Sequence, residues 1–208
     1  MNKLVLGAVS VALTFFATAH AIVVDLTNVS VNSTGESVVY DDGDLQLVIA
    51  PFTVGGTFDN PVFNPSSGLI SNGFGVGIRR NIFDAGQIDG FGPNEGLFAE
   101  VRRSGSGEVV EFTQIEFNLA LTNDNFTIFA GNGLGDLTGI FENVPIDPFN
   151  QIAMGSLTAS TMMIAALQGN DGFYIESIAF NEIPVPGALP LMAAGLGALG
   201  FTRKKHRS

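Results

Sequence analysis

The fold of this 208-residue chain is indicated by the stretch Val109-Val110-Glu111-Phe112-Thr113-Gln114-Ile115-Glu116-Phe117-Asn118-Leu119-Ala120. Apolar and polar residues alternate in it, as they do in a β-strand with one buried and one exposed face. The apolar phase runs through Val110 and Phe112 and then slips to Ile115 and Phe117. The slip predicts a β-bulge near Thr113 and Gln114, because one extra residue returns the apolar side chains to the same face.

Seven further runs are rich in Val, Ile, Phe and Thr and are separated by clusters of Gly, Asn, Asp and Pro. They are residues 22–31, 44–50, 74–78, 97–103, 126–130, 157–167 and 173–180. Part of one run, residues 159–167, has the Ala, Met and Leu content of a helix, but its Thr and Ser residues and its shortness favour a strand. A phase slip between Ile175 and Ile178 predicts that the last strand twists beside an earlier one. Eight short strands predict an all-β fold, an antiparallel β-sandwich of jelly-roll-like form.

Two segments are predicted to be loops. Residues 51–73 are rich in Gly, Pro, Asn and Ser without alternation, and Pro145-Ile146-Asp147-Pro148 has two prolines in four positions. The first segment is interpreted as a long surface loop. Loops at the ends of a sandwich are common binding sites, although a plain connection is an equally good interpretation of both.

The two ends of the chain predict export. Lys3 precedes an apolar stretch, and Ala19-His20-Ala21 has the small-x-small pattern that signal peptidase requires, so we expect cleavage after Ala21.

Near the other end, residues 187–201 are apolar and are followed by Arg203, Lys204, Lys205 and Arg207. Fifteen residues make about 22 Å of helix, less than the roughly 30 Å of a bilayer core. The basic ends stay in the cytoplasm, so the precursor spans the inner membrane twice and the part between them lies outside. A hydrophobic terminal helix of a soluble domain is the alternative, which the prolines, glycines and basic end disfavour.

The tail carries a family resemblance. The tail has three features: Pro184-Val185-Pro186-Gly187, the Gly- and Ala-rich apolar segment and the basic terminus. Together they resemble the sorting signal of PEP-CTERM proteins. The match is to variant tails that read Val-Pro-x-Pro-Ala, with Ile183 and Gly187 as departures. The resemblance implies a signal peptide (1–21), an ectodomain (22–182) and a sorting signal (183–208). It also implies processing by an exosortase-type membrane protease and a mature protein at the surface, or secreted into the extracellular polysaccharide or biofilm matrix, of a Gram-negative bacterium.

A second resemblance lies inside the ectodomain. The segments are Gly73-Phe74-Gly75-Val76-Gly77, then Gln87-Ile88-Asp89-Gly90-Phe91-Gly92-Pro93-Asn94-Glu95-Gly96-Leu97, then Asp171-Gly172-Phe173. Together they resemble the sandwich domain that is common in PEP-CTERM proteins. In that domain a Gly-Val-Gly strand leads to an Ile-Asp and Asn-Glu stretch, and an Asp-x-Phe phrase opens the last strand. The resemblance implies a fold rather than an activity.

Composition excludes most chemistries. Residues 22–182 hold all 20 acidic residues but only four arginines, a formal charge of −16, so we expect no binding to nucleic acid or anionic membranes. They contain no His, Cys, Lys or Trp. This excludes a histidine triad, a thiol nucleophile, a lysine Schiff base, ordinary zinc sites and disulfides. Paired carboxylates could still form a glycosidase site, but the tryptophans that usually stack on sugars are absent. The sequence therefore predicts a protein that is not an enzyme.

Oxygen-donor side chains suggest one candidate metal site. Asp89, Asn94 and Glu95 lie on a Gly-rich stretch that can fold back on itself, as a Ca²⁺ site requires, and Asp84 could join them. The alternative is that Asp89 and Asn94 cap turns while Glu95 pairs with Arg79 or Arg80. No cofactor other than Ca²⁺ is suggested.

Two other charged clusters have ordinary interpretations. Asp41-Asp42-Gly43-Asp44 is interpreted as a solvated hairpin turn, since it lacks the spaced Glu of an EF-hand loop. Arg102 and Arg103 could contact an acidic glycan, but a turn with solvated charges is the simpler interpretation.

Three functions stay open at this point. The first is a non-catalytic surface or matrix protein, structural or glycan-associated, in the extracellular polysaccharide layer. The second is a calcium-dependent carbohydrate-binding module, which requires a concave face with exposed Phe or Tyr. The third is a carboxylate-based glycoside hydrolase, which requires two carboxyl groups about 5–10 Å apart in a cleft.

Overall fold

A computed structural model describes residues 21–27, 29, 36–41, 43–79, 86–90, 93–118, 120–121, 123–146 and 151–183, without the side chain of Ser156. Residues His20–Ile183 form one compact unit. The predicted signal peptide, sorting motif, apolar tail segment and basic terminus lie outside the described residues, apart from Ala21. Within those residues, no helix is both long enough and apolar enough to cross a membrane.

The described part of this unit contains fifteen strands and one short 3₁₀ helix, Leu134–Asp136. The strands are β1 (Ala21–Asp25), β2 (Val38–Asp41), β3 (Leu45–Thr57), β4 (Asn60–Pro65), β5 (Leu69–Asn72), β6 (Gly75–Ile78), β7 (Ile88–Asp89), β8 (Glu95–Arg103), β9 (Ser106–Gly107), β10 (Val110–Asn118), β11 (Asn125–Gly131), β12 (Thr138–Pro145), β13 (Gln151–Ala159), β14 (Thr161–Ala166) and β15 (Gly172–Glu182).

These strands form two antiparallel sheets, as the alternating runs predict. The seven-stranded sheet has the order β13-β10-β15-β6-β5, with β1 and β7 also paired to β15. The eight-stranded sheet has the order β12-β11-β14-β8-β3-β2, with β4 paired to β3 and β9 to β8. One hydrophobic core draws on both sheets. The all-β sandwich prediction is confirmed at this level.

Aromatic side chains join the sheets at the centre of this core. Phe117 of β10 and Phe173 of β15 belong to the seven-stranded sheet, and Phe126 of β11 belongs to the other. The Phe117 ring centroid lies 5.2 Å from that of Phe126 and 5.1 Å from that of Phe173. All three are almost completely buried. Rings at these separations add to the burial energy, so the cluster is expected to be a main source of stability.

The predicted bulge is present. Phe112 of β10 lies opposite Phe180, whereas Gln114 lies opposite Ala179, so Thr113 is the extra residue. A second irregularity places Glu116 opposite Ser177 but Phe117 opposite Ile175, which makes Glu176 an extra residue on β15. The phase slips in both strands are therefore real changes of register, and β15 packs beside an earlier strand as predicted.

Two sequence interpretations need correction. Residues 51–73 are not a loop, because they contain the second half of β3 together with β4 and β5. The run 157–167 is not one strand, because it divides at Ser160 into the end of β13 in one sheet and all of β14 in the other. Its strand character is nevertheless confirmed. Pro145 ends β12 and Ile146 follows it, while residues 147–150 lie outside the described residues.

The segments of the second resemblance lie side by side. Within the Gly-Val-Gly strand β6, Val76 is opposite Ile175 of β15, and in β7 the residues Ile88 and Asp89 are opposite Phe173 and Gly172. A Cβ atom on Gly75, whose φ is +121°, would lie 2.3 Å from the Ile175 carbonyl oxygen. Glycine at this position permits the close approach of β6 to β15.

We expect Gly75→Ala to lower the free energy of unfolding by about 2–4 kcal/mol, because it combines a strained φ with a backbone clash. Gly73→Ala is the matched control, since a Cβ atom there has open space within 4 Å. Urea unfolding of both variants measures the difference. Equal stabilities of the two variants would contradict this account of the Gly-Val-Gly strand.

Candidate functional site

The predicted acidic loop brings two of its three residues together. Asp89 ends β7, Glu95 begins β8, and the Glu95 Oε2 atom accepts a hydrogen bond of 3.2 Å from the Asp89 backbone N–H. The Glu95 side chain is buried. The Asn94 carbonyl oxygen accepts a bond of 2.9 Å from the Val54 N–H, while Asp84 and Arg80 lie outside the described residues. Glu95 thus closes the loop through a backbone contact.

The calcium hypothesis for Asp89, Asn94 and Glu95 stays a prediction. In the part of the chain that the structure describes, no group of three or more Asp, Glu or His side chains is arranged to hold a metal ion. A carboxylate that accepts a backbone N–H can still bind a cation through its other lone pairs. If Ca²⁺ binds this loop, the melting temperature should be higher in millimolar Ca²⁺ than in EDTA, and Asp89→Ala should erase that rise.

The other charged clusters form hydrogen bonds and ion pairs within the fold. Asp41 accepts hydrogen bonds from the Gly43 N–H at 2.9 Å and the Gln46 side chain at 3.0 Å, which closes the β2–β3 hairpin as predicted. Arg102 pairs with Glu100 at 2.5 Å. Arg103 lies 3.2 Å from Glu182 and 3.5 Å from Glu108. Both arginines have carboxylate partners within the fold, so neither is a ready contact for an acidic glycan.

The outer face of the eight-stranded sheet carries a second hydrophobic core. Strands β8, β11 and β14 alternate between the two faces, and their outward residues Phe98, Phe129 and Met163 join Phe52, Val54, Leu137 and Ala165. The β3–β4 hairpin covers this core with Phe58 and Phe63, whose ring centroids lie 5.7 and 5.2 Å from that of Phe129. The hairpin therefore packs as a layer over the sheet.

A groove of about 430 Å³ lies between this hairpin and the 3₁₀ helix. Its lining residues are Asp59, Asn60, Pro61, Val62, Phe63, Leu134, Gly135 and Leu137. Val62 is 50% exposed and Leu134 38% exposed, whereas Asp59 and Asn60 present a carboxylate and an amide. Apolar contact area and hydrogen-bonding groups thus occur together in one open depression, the combination found in small-molecule and carbohydrate sites.

The groove was not predicted from the sequence. Its first wall comes from residues 59–63, inside the predicted loop, and its second from residues 134–137, which lie in no predicted strand. The only local signal was Val62-Phe63 between two prolines, which suits an edge strand. No spacing pattern links the two walls, because β4 pairs with β3 while the 3₁₀ helix follows β11, and β14 and β8 lie between β11 and β3 in the sheet.

The outer face of the seven-stranded sheet carries polar pairs across neighbouring strands. Glu116 of β10 accepts hydrogen bonds from the Gln151 side chain at 2.8 Å and the Ser177 hydroxyl at 3.1 Å. The Asn118 amide donates to Glu176 at 2.9 Å, and the Asn181 amide donates to Glu111 at 3.2 Å. Such cross-strand pairs stabilise a sheet.

Two carboxylates outside the predicted sites are buried next to each other. Asp124 precedes β11 and is 1% exposed, and Asp171 precedes β15 and is 3% exposed. Burial raises the pKa of the Asp124 carboxyl, and the Asp171 carboxylate raises it further, against the lowering effect of the Leu121 and Gly172 amides. This pair was not predicted, since the two residues are 47 positions apart in the sequence.

Comparison with known proteins shows likeness in fold alone. No sequence-family model matches the chain, and no curated protein matches it. Among solved structures, the Clostridium perfringens module CpGH89CBM32-5, in complex with GalNAc-β-1,3-galactose, is 11% identical with a TM-score of 0.35, over 66% of this chain and 95% of that one. Chitosan-binding module 1 of a chitosanase/glucanase from Paenibacillus sp. IK-5 is 12% identical with a TM-score of 0.32, over 65% and 93%. A mutant of that module is 15% identical with a TM-score of 0.31, over 45% and 71%. At these identities and TM-scores the likeness does not bear on what this chain binds.

Proposed function

We propose that this chain is an exported, non-catalytic protein that binds a glycan of the extracellular polysaccharide layer in the groove between β4 and the 3₁₀ helix. The observation that carries the proposal is the lining of that groove. Val62 and Leu134 offer partly exposed apolar surface, and Asp59 and Asn60 offer hydrogen-bonding groups at the same opening. A sugar ring presents C–H faces and hydroxyl groups together, so this lining is complementary to it.

The charge of the protein favours a neutral or cationic glycan. The ectodomain carries a formal charge of −16, and Asp59 lies in the groove itself. Arg102 and Arg103, two of its four arginines, are paired with carboxylates. Approach of a polyanion is therefore electrostatically unfavourable, most strongly at low ionic strength.

We expect the double variant Val62→Ser, Leu134→Ser to bind glycan at least tenfold more weakly, because each change removes apolar contact worth about 1 kcal/mol. The measurement is affinity electrophoresis or calorimetry with a neutral β-glucan, a chitosan oligomer and alginate. Val23→Ser is the matched control, since Val23 is 65% exposed on the other sheet and its loss should leave binding unchanged. Failure of the wild-type protein to bind any of the three polymers would leave a purely structural matrix role as the better proposal.

A glycoside hydrolase is the weaker alternative. One pair of neighbouring carboxylates among the described residues, Asp124 and Asp171, is only 1% and 3% exposed, and the carboxylates of Glu108 and Glu182 are engaged by Arg103. A glycosidase pair must contact the scissile bond from both sides, which requires carboxyl groups at the surface of a cleft. The groove offers Asp59 as its one carboxylate among the lining residues.

We further propose that the precursor is processed at both ends. Signal peptidase cuts after Ala21, and an exosortase-type protease removes the tail near Pro184, Val185, Pro186 and Gly187. This is supported by the end of the last strand, since β15 ends at Glu182, just before the sorting motif. Cleavage at these points leaves Ile22–Asp25 paired with β15, so removal of both ends is compatible with an intact sandwich.

A further inference from the structure

Asp59 has a carboxylate without a partner at the glycan groove. It is exposed and lines the groove, and within the described chain it forms no ion pair and no side-chain hydrogen bond. Acidic side chains in other turns are engaged, for example Asp41 by the Gly43 N–H and the Gln46 amide. None of the lining residues of the groove is basic. The Asp59 charge is therefore available to a ligand.

Packing fixes the turn that carries Asp59. It is one of the two residues that join β3 to β4 in a hairpin. The other turn residue, Phe58, packs on Phe129, with ring centroids 5.7 Å apart. Gly139 of β12 makes room for the Phe58 ring, since a Cβ atom there would lie 2.3 Å from a ring carbon. The carboxylate is thus attached to an anchored turn, which lowers the conformational cost of using it in binding.

The charge and the apolar surface of the groove together define a ligand. Val62 and Leu134 offer apolar surface to the C–H face of a sugar, and Asp136 adds a second exposed carboxylate to the 3₁₀ helix of one wall. A neutral sugar leaves this negative charge uncompensated, and an acidic sugar is repelled by it. A sugar with an ammonium group brings hydrogen-bond donors and the opposite charge together, which makes the stronger kind of hydrogen bond.

We propose that the groove selects a glycan built from amino sugars with free amino groups, and that the Asp59 carboxylate accepts hydrogen bonds from the ammonium group. This inference rests on the proposed glycan-binding function and adds the class of its ligand and the residue that selects it. Because Asp59 is exposed, its ion pair contributes about two- to fivefold in affinity rather than orders of magnitude. Contact with Val62 and Leu134 supplies affinity that does not depend on the charge of the sugar.

The test compares a chitosan oligomer with the same oligomer after complete N-acetylation, since acetylation removes the positive charges and keeps the sugar backbone. Calorimetric titration of the purified protein in mildly acidic buffer of low ionic strength should show about two- to fivefold tighter binding of the free-amine form. Asp59→Asn should bind both forms with nearly equal affinity, because it removes the charge with little change in size. In about 0.5 M NaCl the wild-type preference should shrink, because salt screens exposed charges.

Asp44→Asn is the matched control. It removes the same charge from an exposed turn that does not line the groove, so it should keep the wild-type preference. Loss of the preference in both variants, or equal binding of the two oligomers by the wild type, would overturn the selection by Asp59. The glycan-binding function would survive that result if Val62→Ser, Leu134→Ser still bound both oligomers at least tenfold more weakly. If the wild type binds neither oligomer, the amino-sugar ligand is wrong, and titration with a neutral β-glucan then decides whether the groove binds glycans at all.

Discussion

Phe117→Ala is expected to lower the free energy of unfolding by about 3–5 kcal/mol, the range for removing a buried aromatic side chain. Phe117 is 1% exposed, and its ring packs on Phe126 of the opposite sheet and on Phe173 of the neighbouring strand. The substitution leaves a cavity between the sheets and removes both ring contacts. For a domain of this size the melting temperature should fall by roughly 10 °C.

The control for this experiment is Phe74→Ala. Phe74 also contacts an aromatic residue, Tyr174, at a centroid distance of 6.1 Å, but it is 46% exposed. Its loss should cost about 1 kcal/mol or less, because much of its surface is already in water. Similar melting temperatures for the two variants would show that the Phe117 cluster is not the centre of the core. A predominantly helical far-UV circular dichroism spectrum of the wild type would contradict the fold itself.

Loss of tail processing is the second large effect that we expect. Replacement of Arg203, Lys204, Lys205 and Arg207 by Ser should impair retention of the precursor, because in the proposed topology these side chains keep the end of the apolar segment in the cytoplasm. Pro184→Ala combined with Pro186→Ala should leave uncut precursor in the inner membrane. The sequence of the segment has a low helix propensity because it contains Pro190, Gly195, Gly197 and Gly200, and this disfavours permanent anchoring.

Mass spectrometry of the surface-located protein tests this processing. We expect its N-terminus at Ile22 and its C-terminus close to residues 184–187. Substitution of Ser33 and Thr34 by Ala is a control that should not change processing, since both residues lie outside the two motifs in the sequence. Peptides that include residues 191–201 in the surface fraction would show that the segment is a lasting anchor, contrary to the proposal.

The strands that the sequence predicted are mainly those with two neighbours. β3, β8, β10, β11, β14 and β15 each pair on both edges and carry apolar runs or clear alternation, so their period is visible in the sequence. The bulge at Thr113 was visible for the same reason, because a strand of period two must slip by one residue to keep its apolar face in the core.

The missed strands lie at edges. β2, β4, β5 and β12 each pair with one strand only among the described residues. β4 has Pro61 and Pro65 in it, and most of β12 is exposed or half-buried, so neither shows the apolar period of a central strand. An edge strand tolerates proline and polar residues because one row of its backbone groups needs no partner strand. Residues 51–73, predicted to be a loop, therefore form mainly strands although their amino-acid composition is typical of a loop.

The sequence by itself determined the class of fold, the charge and the chemistry that residues 22–182 exclude, since these follow from strand period and from the absence of His, Cys, Lys and Trp there. The tertiary structure decided where candidate sites lie. The groove joins residues 59–63 to residues 134–137, and the buried carboxylates join Asp124 to Asp171. Local spacing cannot show such pairs, because strand order and sheet packing, rather than sequence separation, bring their side chains into contact.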